Sequence, residues 1–171
     1  MQPAVSQAAS VVSDRIDHPP LRREFDSPDR RFRLVIETAD RWRTQTPTAQ
    51  LFEGGATAPR WSRVLQQHYG PRYALVNNAG SVLLLDEWIN ITSPLALMLI
   101  DADNQVRATH AFDAIVAALG VPPRQVSAQA RHGTWISAPP QLAADGRSVR
   151  VASGGRTLVI ALDKGALSSS S

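Results

Sequence analysis

Two apolar runs in the middle of the chain restrict its fold more than any other feature. Val82, Leu83, Leu84 and Leu85 are apolar at every position, and so is the run 95–100, Leu-Ala-Leu-Met-Leu-Ile. Runs of this length suit strands, and because successive side chains on a strand point to opposite faces, a strand with no polar face needs cover on both sides. The two runs therefore predict a buried central sheet. The clusters beside them are turn formers: Asn77-Asn78-Ala79-Gly80 precedes the first run, and Asp101-Ala102-Asp103-Asn104 separates the second from 105–112. Asparagine, aspartate and glycine tolerate positive φ or bond their own backbone, so residues 72–112 are expected to form successive antiparallel hairpins.

The flanks extend this pattern. Phe32, Leu34 and Ile36 alternate with Arg31, Arg33 and Glu37 at the period of a half-buried strand, and Thr38 and Asp40 can turn the chain so that Arg41, Trp42 and Arg43 repeat the pattern as a hairpin. A short strand is expected over 49–52, and either a strand or a helical turn over 61–69. Residues 112–119 read as a helix with Asp113 as its cap, Ile115, Val116 and Leu119 on one side and Gly120 as its terminator. Pro123 opens a second short helix through 131, with Gly133 beyond it. Strands return at 135–137, 148–152 and 156–162, the last two joined by Ser153-Gly154-Gly155. The expected class is α+β and β-rich: a mainly antiparallel sheet of hairpins with one or two short covering helices at about 112–131. A partly parallel α/β sheet is the alternative. The strand-turn units also resemble β-propeller blades, too few to close a ring.

A chain of 171 residues supports one core that buries roughly 70% of the extended chain's surface. The expected division is a flexible leader over 1–27, where no period of 2 or 3.6 persists and Pro19 and Pro20 remove two donors, one β-rich domain over 28–165, and a disordered tail over 166–171. Absence of cysteine excludes disulfides and thiolate chemistry. No apolar run approaches the ~20 residues of a membrane helix, so no membrane insertion is expected. The net charge is +3, and Lys164 is the only lysine among 18 basic residues, an arginine excess read as the mark of a GC-rich bacterial genome. The first residues lack the basic start and apolar core of a secretory signal, which predicts a cytoplasmic protein, or a periplasmic one if the chain is a processed mature form.

The string Leu75-Val76-Asn77-Asn78-Ala79-Gly80 resembles the Asn-Asn-Ala-Gly element of the short-chain dehydrogenase/reductase family over six residues. That family also needs an upstream glycine-rich turn against a pyrophosphate and a tyrosine four residues ahead of a lysine. Only Gly54, Gly55 and Gly70 precede the string, and no tyrosine follows Tyr73. The string is read as a hairpin turn, and no cofactor is expected. Asp101, Asp103 and Asn104 resemble the start of a calcium loop, but Gln105 and Val106 stand where further ligands and a turn glycine belong. His18, His68, His110 and His132 are never three or four apart, so no helix-borne metal pair exists and no metal site is assigned.

Two surfaces remain as binding candidates. Arg31, Arg33, Arg41 and Arg43 would share the outward face of the first hairpin and could hold an anion or a nucleic-acid backbone. Glu24, Asp26, Asp29, Glu37 and Asp40 lie among them, which favours a solvated face of mixed charge. Asp86-Glu87-Trp88-Ile89-Asn90 puts two carboxylates and an amide straight after an apolar run. Buried carboxylates need partners, such as Arg107 or His110, unless the sheet emerges here. The preferred reading is a binding rim of Asp86, Glu87, Trp88 and Asn90 with Trp88 as its anchor. The function expected is a non-enzymatic interaction module, of inhibitor or envelope type, that recognises a protein partner. The alternatives are a hydrolase assembled from His110, His132, Asp86 and Glu87, and nucleic-acid binding through the arginine face.

Overall fold

The computed structural model describes residues 17–170. Three four-stranded sheets follow one another along the chain, each a meander in which sequence neighbours pair. The first contains β1 (Arg22–Asp26), β2 (Phe32–Glu37), β3 (Thr48–Glu53) and β4 (Trp61–Val64). The second contains β5 (Tyr73–Val76), β6 (Val82–Leu85), β7 (Leu97–Ile100) and β8 (Val106–His110). Helices α1 (Phe112–Leu119) and α2 (Pro123–Gln129) lead to the third, formed by β9 (Gln141–Leu142), β10 (Ser148–Ser153), β11 (Arg156–Ala161) and β12 (Leu167–Ser170). Every strand pairing among the described residues is antiparallel. The architecture is β-rich with two short helices where the sequence placed them, but the expected sheet is divided into three, and no parallel pair occurs among the described residues.

The apolar runs explain the stacking. β6 and β7 pair with Val82 opposite Ile100, Leu83 opposite Leu99, Leu84 opposite Met98 and Leu85 opposite Leu97. Val82, Leu84, Met98 and Ile100 pack against Leu34, Ile36 and Leu51 of the first sheet. Leu83, Leu85, Leu97 and Leu99 pack on the opposite face against Ile115, Leu119, Trp135 and the third sheet's Val149, Val151, Leu158 and Ile160. The middle sheet thus separates two apolar cores, and each of its buried leucines contributes roughly 1.5–3 kcal/mol relative to exposure.

Both ends differ from the sequence reading. Residues 1–16 of the expected leader lie outside the described residues, but Arg22–Asp26 forms β1, with Phe25 opposite Leu34 and Arg23 opposite Ile36. Leu167–Ser170, expected to be disordered, pairs with β11. These are polar edge strands whose backbone ladder, more than any apolar face of their own, holds them in place.

Three local expectations also change. The partner of β2 on its second side is β3, and Arg41 to Arg43 is no strand. Thr38 Oγ1 accepts hydrogen bonds from the Asp40 and Trp42 amides, Asp40 Oδ1 accepts one from the Thr44 amide, and Arg41 and Trp42 take φ of 58° and 67°. This tight turn buries the Trp42 ring, whose Nε1 donates to Pro19 O at 3.0 Å. In α1, Ala111 occupies the N-cap position and Asp113 lies in the first turn, where its charge favours the helix dipole without capping. Gly120 ends that helix in the left-handed region, as expected, its N–H donating to Val116 O. The 135–137 segment is a loop, anchored by a bridge from Ile136 to His132, with Trp135 fully buried.

Candidate functional site

The backbone turns as soon as β6 ends. Asp86 has φ 59°, unusual for a residue with a Cβ, and its amide donates to Ala96 O at 2.8 Å. The turn sends the two neighbouring acids apart. Asp86, 0% exposed, accepts the Glu87 amide on Oδ1 at 2.9 Å, and on Oδ2 the Thr134 amide at 2.8 Å and the Thr134 hydroxyl at 3.4 Å. Burial pushes its carboxyl up to about 6, against the opposing pull of these hydrogen bonds and of the Arg72 charge. Glu87, 2% exposed, accepts the His68 amide on Oε1 at 2.7 Å, lies 2.7 Å from His68 Nδ1, and accepts the Ser93 hydroxyl on Oε2.

Both acids therefore sit beneath the surface, pinned to neighbouring loops and out of reach of a partner. The partners named from sequence lie elsewhere. Arg107 is 3.8 Å from Asp101, and His110 Nε2 is 2.8 Å from Gly165 O. His132 stands edge-on to Tyr73 with ring centroids 5.7 Å apart. No side-chain to side-chain hydrogen bond joins His110, His132, Asp86 and Glu87. Among the described residues no group of three or more His, Cys, Asp or Glu side chains is placed to hold a metal. The sequence reading missed the set that does assemble, Ser93, Glu87 and His68. Its order puts the acid between hydroxyl and imidazole, so the buried Ser93 hydroxyl faces a carboxylate and not the imidazole, and the arrangement lacks the order of a nucleophilic triad.

Trp88 and Asn90 do reach the surface. Trp88 is half-buried, and two guanidinium groups lie over its ring, Arg72 at 4.6 Å and Arg23 at 5.2 Å from the centroid. Its Nε1 donates to Asp17 O. Arg72 Nη2 donates to Asn90 Oδ1 at 3.2 Å, and Arg23 Nη2 to Pro71 O at 2.8 Å. These groups flank a cleft of about 520 Å³, where Arg23, Glu24 and Phe25 of β1 meet Tyr73 of β5, with Arg72, Trp88 and His132 beside them. β1 and β5 are edge strands of their sheets, so the cleft follows the line where two sheets meet edge to edge. Burial and the neighbouring Arg72 charge lower Arg23 to about 10, and burial lowers Arg72 against the pull of Asp86 and Tyr73.

The arginines singled out from sequence are dispersed. Arg31 pairs with Glu53 at 2.8 Å, while Arg33 lies 3.7 Å from Glu24 and over the Phe52 ring. Arg41 and Arg43 are exposed on the 38–44 turn, so the four share no single face. Asn77 to Gly80 is the turn between β5 and β6: Asn77 Oδ1 accepts the Ala79 and Ser81 amides, and its Nδ2 donates to Gly146 O. Asp101 Oδ1 likewise accepts the Asp103 and Gln105 amides, so it closes a turn. A cavity of about 830 Å³ opens beside the first of these turns, lined also by Asp145, Arg147 and Asp163. Among the described residues no helix is long and apolar enough to cross a membrane. No family model, curated protein or solved structure matches the chain.

Proposed function

We propose that the protein is a non-enzymatic interaction module that recognises a protein partner through the cleft beside Trp88. The observation that carries this reading is the pair of guanidinium groups, Arg23 and Arg72, lying over one partly exposed indole. Tryptophan and arginine are the side chains that most often dominate binding at protein interfaces, because they bring large contact area with few internal rotations or a planar fork of donors. Trp88 is the tryptophan to test, since Trp42, Trp61 and Trp135 are all buried in support of the fold. In this reading Asp86 and Glu87 support the rim from below, and Trp88 and Asn90 meet the partner.

The test is selection of binders from a random-peptide display library on the immobilised protein, followed by affinity measurement on wild type and Trp88→Ala. The reading expects selected peptides to lose at least about tenfold in affinity on Trp88→Ala, the size of a loss that marks an anchor residue. Peptides that bind both proteins equally, or a selection that yields no binder, would remove it.

A further inference from the structure

The two guanidinium groups at the cleft have no carboxylate partner among the described residues. Neither forms a salt bridge, although Arg22, Arg31, Arg33, Arg60 and Arg107 all do. Two acids beside them, Glu24 at the cleft and Asp86 behind Arg72, are held by other groups. Glu24 lies 3.2 Å from Arg22 Nε and 3.7 Å from Arg33 Nε, and Asp86 is held by the Glu87 and Thr134 amides. A guanidinium carries five N–H donors. Arg23 uses one nitrogen on Pro71 O, Arg72 uses one on Asn90 Oδ1, and Arg72 Nε is buried with no hydrogen-bond partner. A donor in that position costs stability unless something accepts from it. The two like charges also act against each other across the cleft.

We propose that the cleft is a carboxylate-binding site in which Arg23 and Arg72 receive an acidic group of the partner while Trp88 and Tyr73 pack against its apolar stem. This deepens the interaction-module reading and rests on it. A planar guanidinium matches a carboxylate through two parallel hydrogen bonds, and an unmodified protein chain carries no other anion. The carboxylate is either an Asp or Glu side chain or the partner's C-terminus, since both present the same planar pair of oxygens. The cleft is the site the sequence could not show, because Arg23, Arg72, Trp88 and His132 come from four separated segments.

Four probes separate the possibilities: an acetylated, amidated hexapeptide with a single glutamate, its glutamine counterpart, that counterpart with a free C-terminal carboxylate, and inorganic phosphate. Each is titrated into the full chain while the arginine Nε–H and tryptophan indole resonances are followed by NMR. One or both carboxylate peptides are expected to move the Arg72 and Trp88 signals, and the neutral amide is expected to bind at least about tenfold more weakly. Which carboxylate peptide binds identifies the source. Arg23→Gln and Arg72→Gln are each expected to weaken that binding about tenfold, and Arg72→Lys, which keeps the charge but loses the fork, by an intermediate factor. Circular dichroism confirms that each variant is folded, and Arg31→Gln, in the turn before β2 where Arg31 pairs with Glu53, is expected to bind as wild type does. Equal binding of the neutral peptide, or phosphate bound at least as tightly as either carboxylate peptide, would overturn the proposal. Display-selected peptides that depend on Trp88 yet are indifferent to loss of their carboxylates would overturn it while leaving the interaction-module reading standing.

Discussion

The carboxylate of Asp86 fills the space in which Gly133 would carry a Cβ. An added methyl there would overlap Asp86 Oδ2 and press on the Arg72 stem, and Gly133 also has φ 74°. The contact locks the end of β6 to the loop that brings His132 to the cleft.

Gly133→Ala is therefore expected to lower stability by about 2–4 kcal/mol, combining left-handed backbone strain with displacement of a buried, bonded acid. Urea denaturation measures it. Gly54→Ala, at a glycine with φ 60° and open space around it, isolates the backbone part and is expected to cost less, about 1 kcal/mol.

The same acid makes a prediction about pH. A carboxyl raised from 3.8 to about 6 in the folded chain takes up protons on folding between those values, so its ionisation opposes folding by an amount on the order of 3 kcal/mol above pH 6. This penalty is fully present above the folded value and is relieved as pH falls towards 3.8. Asp86→Asn removes the titration but turns an amide NH2 towards either the Glu87 or the Thr134 N–H. At pH 7 the lost hydrogen bond, about 1–3 kcal/mol, is offset by removal of the ionisation penalty, so the variant is expected to lie close to wild type there and to fall behind it as pH drops from 6 to 4, where only wild type gains. Denaturation of both proteins across that range checks it. Asp29, Asp40 and Glu53, which hydrogen bonding and nearby arginines hold below their usual range, contribute the opposite trend at lower pH in both proteins, so the difference between the two curves is the quantity to read.

Leu83 and Leu84 are neighbours in the chain but line different cores. Leu83→Ala and Leu84→Ala are each expected to cost about 2–5 kcal/mol. Because their cavities open on opposite faces of the middle sheet, the double variant's loss is expected to equal the sum within about 0.5 kcal/mol. A large coupling energy in chemical denaturation would mean that the sheet does not separate the two cores as described.

The buried middle sheet was legible because cover on both faces removes the polar half of the strand pattern, leaving continuous apolar runs at 82–85 and 97–100. Its turns were legible because Asn77, Gly80 and Asp101 perform backbone chemistry that few other residues can. β1 and β12 were not, since Arg-Arg-Glu-Phe-Asp and Leu-Ser-Ser-Ser carry little apolar pattern and are held by a neighbour's ladder. The division into three sheets was hidden for a related reason: pattern indicates which residues are buried, not which surface covers them. At the site, the sequence singled out 86–90 because acids followed an apolar run. The left-handed turn at Asp86 buried both acids and left Trp88 and Asn90 at the surface, while nothing in the local sequence distinguishes Arg23 and Arg72 from the other arginines, and only folding sets them over one ring.

The most direct test of the interaction reading places a photo-crosslinking amino acid at Asn90, on the rim beside Arg72, or at Val64, which is 65% exposed on β4. Each protein is irradiated with the peptide chosen by display selection, and the adduct is mapped by mass spectrometry. The account predicts a discrete adduct from position 90 that an excess of unlabelled peptide suppresses, and none from position 64. Equal labelling from both positions, or labelling from position 64 alone, would contradict it.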